Sequence, residues 1–170
     1  MLTRELVQHL FGESHHPLRE RMERWIVASR RYAAFVEANA PKIRKKLHVR
    51  TDPDSLADLQ LELETAFCLL TEGAFALAYE PGVEGKRAGP DFAVTYTSSL
   101  RFLLEVTRTH ARDRIAITHE TAADRLVDVA GGKLRQLAPS VINVLLIGAG
   151  LDEAVADHLP DALNRLLRRV

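Results

Sequence analysis

The hydrophobic period of the chain changes at Gly73, and this change limits the fold more than any other feature. Before it, apolar residues recur at helical spacing. After it, short runs rich in Phe, Val, Tyr and Thr are separated by turn residues. Leu18, Met22, Trp25, Ser29, Tyr32 and Val36 recur at steps of four and three, one helix face that is apolar except at Ser29. Pro41 opens a short basic helix, Lys42–Leu47. After a polar loop, Asp54 or Ser55 is expected to cap a helix that runs to Glu72 and stops at Gly73.

Beyond Gly73 the expected strands are Phe75–Glu80, Phe92–Tyr96 and Arg101–Thr107. Residues 108–119 read as an irregular connection, and Glu120–Leu137 as a helix with a weak spot at Gly131–Gly132. Val141–Ile147 is a continuous apolar run, as in a buried strand of a parallel pairing. Residues 152–170 read as helical with a break at Pro160. The step from Arg101–Thr107 through a helix to Val141–Ile147 is a βαβ crossover, expected to be right-handed. The class is therefore α/β: a mixed sheet with helices on its faces, preceded by N-terminal helices and followed by a C-terminal helix.

At 170 residues and 19.0 kDa the chain suits a single domain with its own core. Its parts are a helical extension over 1–50, a core over 55–150 and a final helix over 151–170. Lys plus Arg number 23 and Asp plus Glu 23, so unspecific coating of nucleic acid by a basic protein is not expected. The charge is nevertheless unevenly placed. Residues 17–50 carry ten Lys or Arg against three acids, and residues 51–85 carry eight acids and no Lys or Arg. Two explanations stand: the segments pack together and neutralise each other, or the first presents a basic face to a polyanion. A single cysteine, Cys68, excludes an internal disulfide framework and a Cys-rich zinc module. The N-terminal stretch has charges inside its apolar run and no small-residue cleavage site. The longest apolar run, Val141–Gly150, is half the length of a membrane span. A cytoplasmic protein is expected.

Two acids fall on adjacent expected strands. The link Thr97–Ser99 is short, so those strands should form a hairpin. A turn centred on Ser98 pairs residues whose numbers sum to 196, which sets Asp91 opposite Glu105. Their Cβ atoms would then lie about 5 Å apart on one face. Facing carboxylates repel, and Mg²⁺ or Mn²⁺ between them would offset the repulsion. The alternative is a register off by one, with both acids merely solvated. Thr107 shares the Glu105 face by alternation. On the preceding helix, with Leu59 at zero, Glu62 falls at about 300° beside the buried arc, within reach of the sheet edge. Glu64, at about 140°, falls on the solvent side. Lys133 and Gln136, three residues apart, share a face of the later helix. His15, His16, His110 and His119 lack a ligand spacing, and Cys68, among apolar helix residues, reads as core.

The run Gly89–Phe92 (GPDF) followed by Leu103–Thr107 (LLEVT) resembles the paired motif of the PD-(D/E)xK nuclease superfamily. That superfamily includes restriction endonucleases and archaeal Holliday junction resolvases. In those resolvases an acid on the first helix precedes a glycine by eleven positions, as Glu62 precedes Gly73 here. Lys133, Gln136 and Asn143–Ile147 look like the family's second helix and last core strand. The resemblance implies a restriction endonuclease-like αβββαβ core over residues 55–150. It implies that Asp91 and Glu105 bind a Mg²⁺ or Mn²⁺ ion, with Glu62 as supporting acid. The family's lysine, two residues after the second acid, is replaced by Thr107, which can donate and accept a hydrogen bond but carries no charge. Lys133, Lys86 or Arg87 could supply the missing cation.

The expected function is metal-dependent hydrolysis of phosphodiester bonds in nucleic acid, DNA favoured over RNA. The backbone would be contacted by Lys42, Arg44, Lys45, Lys46, Lys86, Arg87, Arg108 and Gln136, with Arg112 and Arg114 as further candidates. Two other outcomes are open: a catalytically degenerate nuclease fold that binds nucleic acid or protein, and an interaction subunit whose amphipathic N-terminal helices form a homodimer.

Overall fold

The computed structural model describes residues 2–82, 89–109, 122–134, 141–148 and 159–168. Among these the elements are α1 (Thr3–Phe11), α2 (Arg19–Ala28), α3 (Arg30–Ala38), α4 (Ala40–Val49), α5 (Pro53–Thr71), β1 (Phe75–Tyr79), β2 (Phe92–Tyr96), β3 (Leu100–Arg108), α6 (Ala122–Leu134), β4 (Ile142–Gly148) and α7 (Leu159–Leu167). The strand order is β1-β2-β3-β4, a mixed, open sheet in an α/β fold. The chain divides into two compact units, Met1–Arg101 and Phe102–Val170.

In the first unit the helices supply most of the core. Leu6, Leu10, Met22, Tyr32, Val36, Ile43, Leu59 and Leu63 are all buried to 2% exposure or less. The long helical stripe read from the sequence is two helices. Ser29, its one polar member, leaves helical geometry (φ −137°, ψ 114°) and accepts a hydrogen bond from the Tyr32 amide at 3.2 Å. Serine oxygen competes for backbone donors in this way, which suits a helix start and not a helix middle. Trp25 stays on the stripe and stacks on Phe67, ring centroids 5.5 Å apart.

α5 starts two to three residues earlier than expected. Asp52, not Asp54 or Ser55, caps it by accepting from the Ser55 amide at 3.0 Å, and Pro53 occupies the first turn, where a missing N–H costs nothing. The helix ends as expected, with Gly73 at φ +69°, a left-handed conformation that glycine adopts freely. Arg31 donates to the Leu70 carbonyl at 3.3 Å and to that of Phe75, tying α3 to the end of α5 and the start of β1. Cys68 is exposed and not part of the core. Nine residues at about 100° each set it half a turn from Leu59, so its apolar neighbours in sequence are not its neighbours in space. β1 and β2 pair antiparallel in a register that sets Tyr79 opposite Phe92.

In the second unit β3 and β4 pair parallel, with Glu105 opposite Leu145 and Thr107 opposite Ile147, and α6 lies between them in sequence. Leu126 and Val127 of α6 pack with Ala162 of α7, flanked by Ile147 and Leu166. Arg165 of α7 pairs with Asp124 of α6 and, at 2.6 Å, with Asp161. Pro160 falls at the start of the last described helix, and residues 152–158, on the other side of the expected break, lie outside the described residues. Proline is tolerated in that first turn of α7. The expected connection over 108–119 lies outside the described residues beyond Thr109, as do residues 135–140 and 149–158. No helix among the described residues is long and apolar enough to cross a membrane.

Candidate functional site

Glu105 sits mid-way along β3, where side chains alternate between faces. Leu104 points the other way and is 3% exposed. The Glu105 side chain is 13% exposed, and its Oε1 lies 2.5 Å from Nζ of Lys133. Lys133 is in the last turn of α6. It continues the row of Val127 and Ala130, both buried, at three-residue spacing, so the helix aims it inward along its packed face. Of Lys133, Lys86 and Arg87, the three cations that the resemblance offers in place of a motif lysine, Lys133 lies on Glu105. Lys86 and Arg87 lie outside the described residues, as does Gln136. Thr107, two residues on, is half-buried on the Glu105 face.

Asp91 immediately precedes β2. Its carbonyl accepts from the Glu80 amide at 2.8 Å, which continues the β1–β2 ladder and fixes its backbone. Its charge is felt by the Tyr79 phenol.

Glu62 is 3% exposed and belongs to a polar network built from α4, α5 and β1. Its Oε1 accepts from the Tyr79 hydroxyl at 2.6 Å and from Lys46 Nζ at 2.5 Å, and Arg50 Nη1 lies 3.6 Å from Oε2. Lys46 also pairs with Glu80 at 2.6 Å and lies over the Tyr79 ring, 4.8 Å from its centroid. Burial drives the Tyr79 phenol far above its ordinary range, and the charges of Glu62, Glu80 and Asp91 push the same way. A carboxylate this buried requires cationic partners, and Lys46 of α4 and Arg50 just beyond it supply them. The opposed charges of 17–50 and 51–85 thus partly neutralise each other inside the unit. Tyr79 was not among the candidates read from the sequence. The available signal was its place as the one polar member of the alternating positions Phe75, Leu77 and Tyr79.

The basic residues divide. Lys42 donates to the carbonyls of Tyr79 at 2.9 Å and Glu80 at 3.3 Å. Lys46 is bound as above. Arg44 and Lys45 are exposed. Arg108 is half-buried at the end of β3 and is engaged. Arg112, Arg114, His110 and His119 lie outside the described residues. His15 is exposed. The Leu18 amide donates to Nδ1 of His16 at 3.2 Å, and burial holds that imidazole below its ordinary pKa.

Among the described residues no group of three His, Cys, Asp or Glu side chains is arranged to hold a metal ion. Glu62 is a poor direct ligand, since its Oε1 is occupied by Lys46 and Tyr79 and its Oε2 faces Arg50. The carboxylates of Asp91 and Glu105 have the hard oxygen donors that Mg²⁺ and Mn²⁺ prefer. No protein-family model, curated protein or solved structure matches this chain.

Proposed function

We propose that the chain is a metal-dependent, nuclease-like protein that hydrolyses phosphodiester bonds in nucleic acid, built on a restriction endonuclease-like core of the PD-(D/E)xK type. The observation that carries this reading is the Lys133 ammonium on Glu105. A lysine two residues after the second acid would place its charge beside that carboxylate. Here Thr107 holds the position, and Lys133 delivers the charge from α6. The element order α5-β1-β2-β3-α6-β4, with β3 and β4 parallel, supports the same core.

Asp91 and Glu105 would hold the ion. Their apposition is the expectation drawn from the short link between their strands. A bound Mg²⁺ or Mn²⁺ polarises a phosphate oxygen and lowers the pKa of its water. Lys133 stabilises negative charge beside Glu105, and the Thr107 hydroxyl orients a water by donating or accepting a hydrogen bond. Glu62 acts at one remove, and its bonds to Lys46 and Tyr79 support that role. The lone cysteine fits a reducing, cytoplasmic setting.

The test is purified protein with Mg²⁺ or Mn²⁺ against single-stranded, duplex and branched substrates. Cleavage is expected and is lost in Asp91→Ala and Glu105→Ala. Cleavage that survives both substitutions overturns the assignment. One observation favours a second reading, a degenerate nuclease fold kept for binding: Glu62 and Glu105 each already hold a lysine. Nucleic-acid binding without cleavage in any metal would select it.

A further inference from the structure

We propose that the outward face of α4 docks the phosphate backbone of duplex nucleic acid, with Arg44, Lys45 and His48 as its contacts. This rests on the nucleic-acid reading above and assigns the contact to particular residues of the first unit.

α4 contains no acid between Ala40 and Val49. Its buried side is Ala40, Ile43 and Leu47. The basic residues on its other sides do two different jobs. Lys42 and Lys46 hold the unit together, the first on the Tyr79 and Glu80 carbonyls, the second on the Glu62 and Glu80 carboxylates. Arg44, Lys45 and His48 are exposed and have no ion-pair or hydrogen-bond partner among the described residues. Arg44 and His48 are four apart, and Lys45 and His48 three apart, so the three side chains share about 6 Å of helix axis.

α2 is charged differently. Arg24 of α2 is exposed, but so are Glu20 and Glu23 beside it. The exposed side of α2 presents both signs of charge, whereas α4 itself carries no acid. Such a face gains from releasing the counterions of a polyanion. α4 also carries no Phe, Tyr or Trp, the large rings on which the unpaired bases of a single strand stack. A backbone-only contact on a rigid helix suits a duplex, whose phosphates are regularly placed.

The experiment is fluorescence anisotropy of the full chain with a labelled 20-base-pair duplex over a series of salt concentrations, with cleavage assayed in the same samples. Arg44→Ala/Lys45→Ala should weaken binding about tenfold and lower the salt slope by about two, one for each phosphate no longer neutralised. Adding His48→Ala should weaken it further. Arg24→Ala should bind as the parent does, and the melting temperature of every variant should be unchanged. If the double variant binds with the parent's affinity and salt slope, the α4 surface is wrong, and metal-dependent cleavage in those samples leaves the nuclease reading standing. If the parent binds no duplex but binds an anionic vesicle or an acidic peptide through Arg44 and Lys45, the proposal is overturned in favour of that partner.

Discussion

Nζ of Lys133 lies 2.5 Å from Oε1 of Glu105, an ion pair that joins the last turn of α6 to the middle of β3. The pair puts a cation beside Glu105, whose neighbour on the same strand face, Thr107, carries no charge. If Lys133 supplies the missing charge, Lys133→Gln should lower single-turnover cleavage at least about 100-fold, the scale of removing one group that stabilises developing charge. Lys133→Arg should retain part of the rate. Equal rates in the parent and Lys133→Gln would make the ion pair a fastening of α6 only.

The Glu62 network should behave as a buried, satisfied charge. Lys46→Met removes the closest cation from a carboxylate that is 4% exposed. It should cost about 3 kcal/mol in urea unfolding, because the uncompensated charge stays buried. Tyr79→Phe removes a hydrogen bond to a charged acceptor and should cost about 2 kcal/mol. The pair Glu62→Leu/Lys46→Met should recover most of the Lys46→Met loss, since hydrophobic replacement of a whole buried pair is often neutral. A double variant less stable than Lys46→Met would show that the network itself stabilises the unit.

Much of the fold was legible because its signals are local. The period change at Gly73, the apolar run of β4 and the helical spacing around Tyr32 each follow from neighbouring residues alone. Local signals also failed in definable ways. Ser29 read as a blemish on one stripe, whereas its oxygen starts a new helix. Cys68 read as core because its chain neighbours are apolar, although about 100° per residue turns it outward. The position of Glu62 at the border of the buried arc was readable from the helix wheel. Its partners were not, since Lys46 and Tyr79 arrive from other elements, and only packing brings them to one carboxylate.

Two buried phenols make a prediction at high pH. The Tyr32 hydroxyl is fully buried, without a hydrogen-bond partner among the described residues, and burial pushes its pKa well above the ordinary 10.0. Tyr79 shifts the same way, by burial first and the neighbouring acids second. Both native phenols hold their protons more tightly than the unfolded chain does. Their share of stability is therefore complete below pH 10 and falls as pH rises beyond it, by about 1.4 kcal/mol per pH unit for each. Urea unfolding at pH 9 and pH 11 checks this. Tyr32→Phe should remove its share of the slope. At neutral pH it should leave stability unchanged to about 0.5 kcal/mol or raise it, because the lost hydroxyl had no partner.

If Asp91 and Glu105 bind a divalent cation, calorimetric titration of Mn²⁺ into the full chain reads that binding without any substrate. One site of stoichiometric binding is expected in the parent, abolished in both Asp91→Asn and Glu105→Gln, with folding intact by circular dichroism. No heat at millimolar Mn²⁺, or equal binding in the parent and both variants, would contradict that expectation.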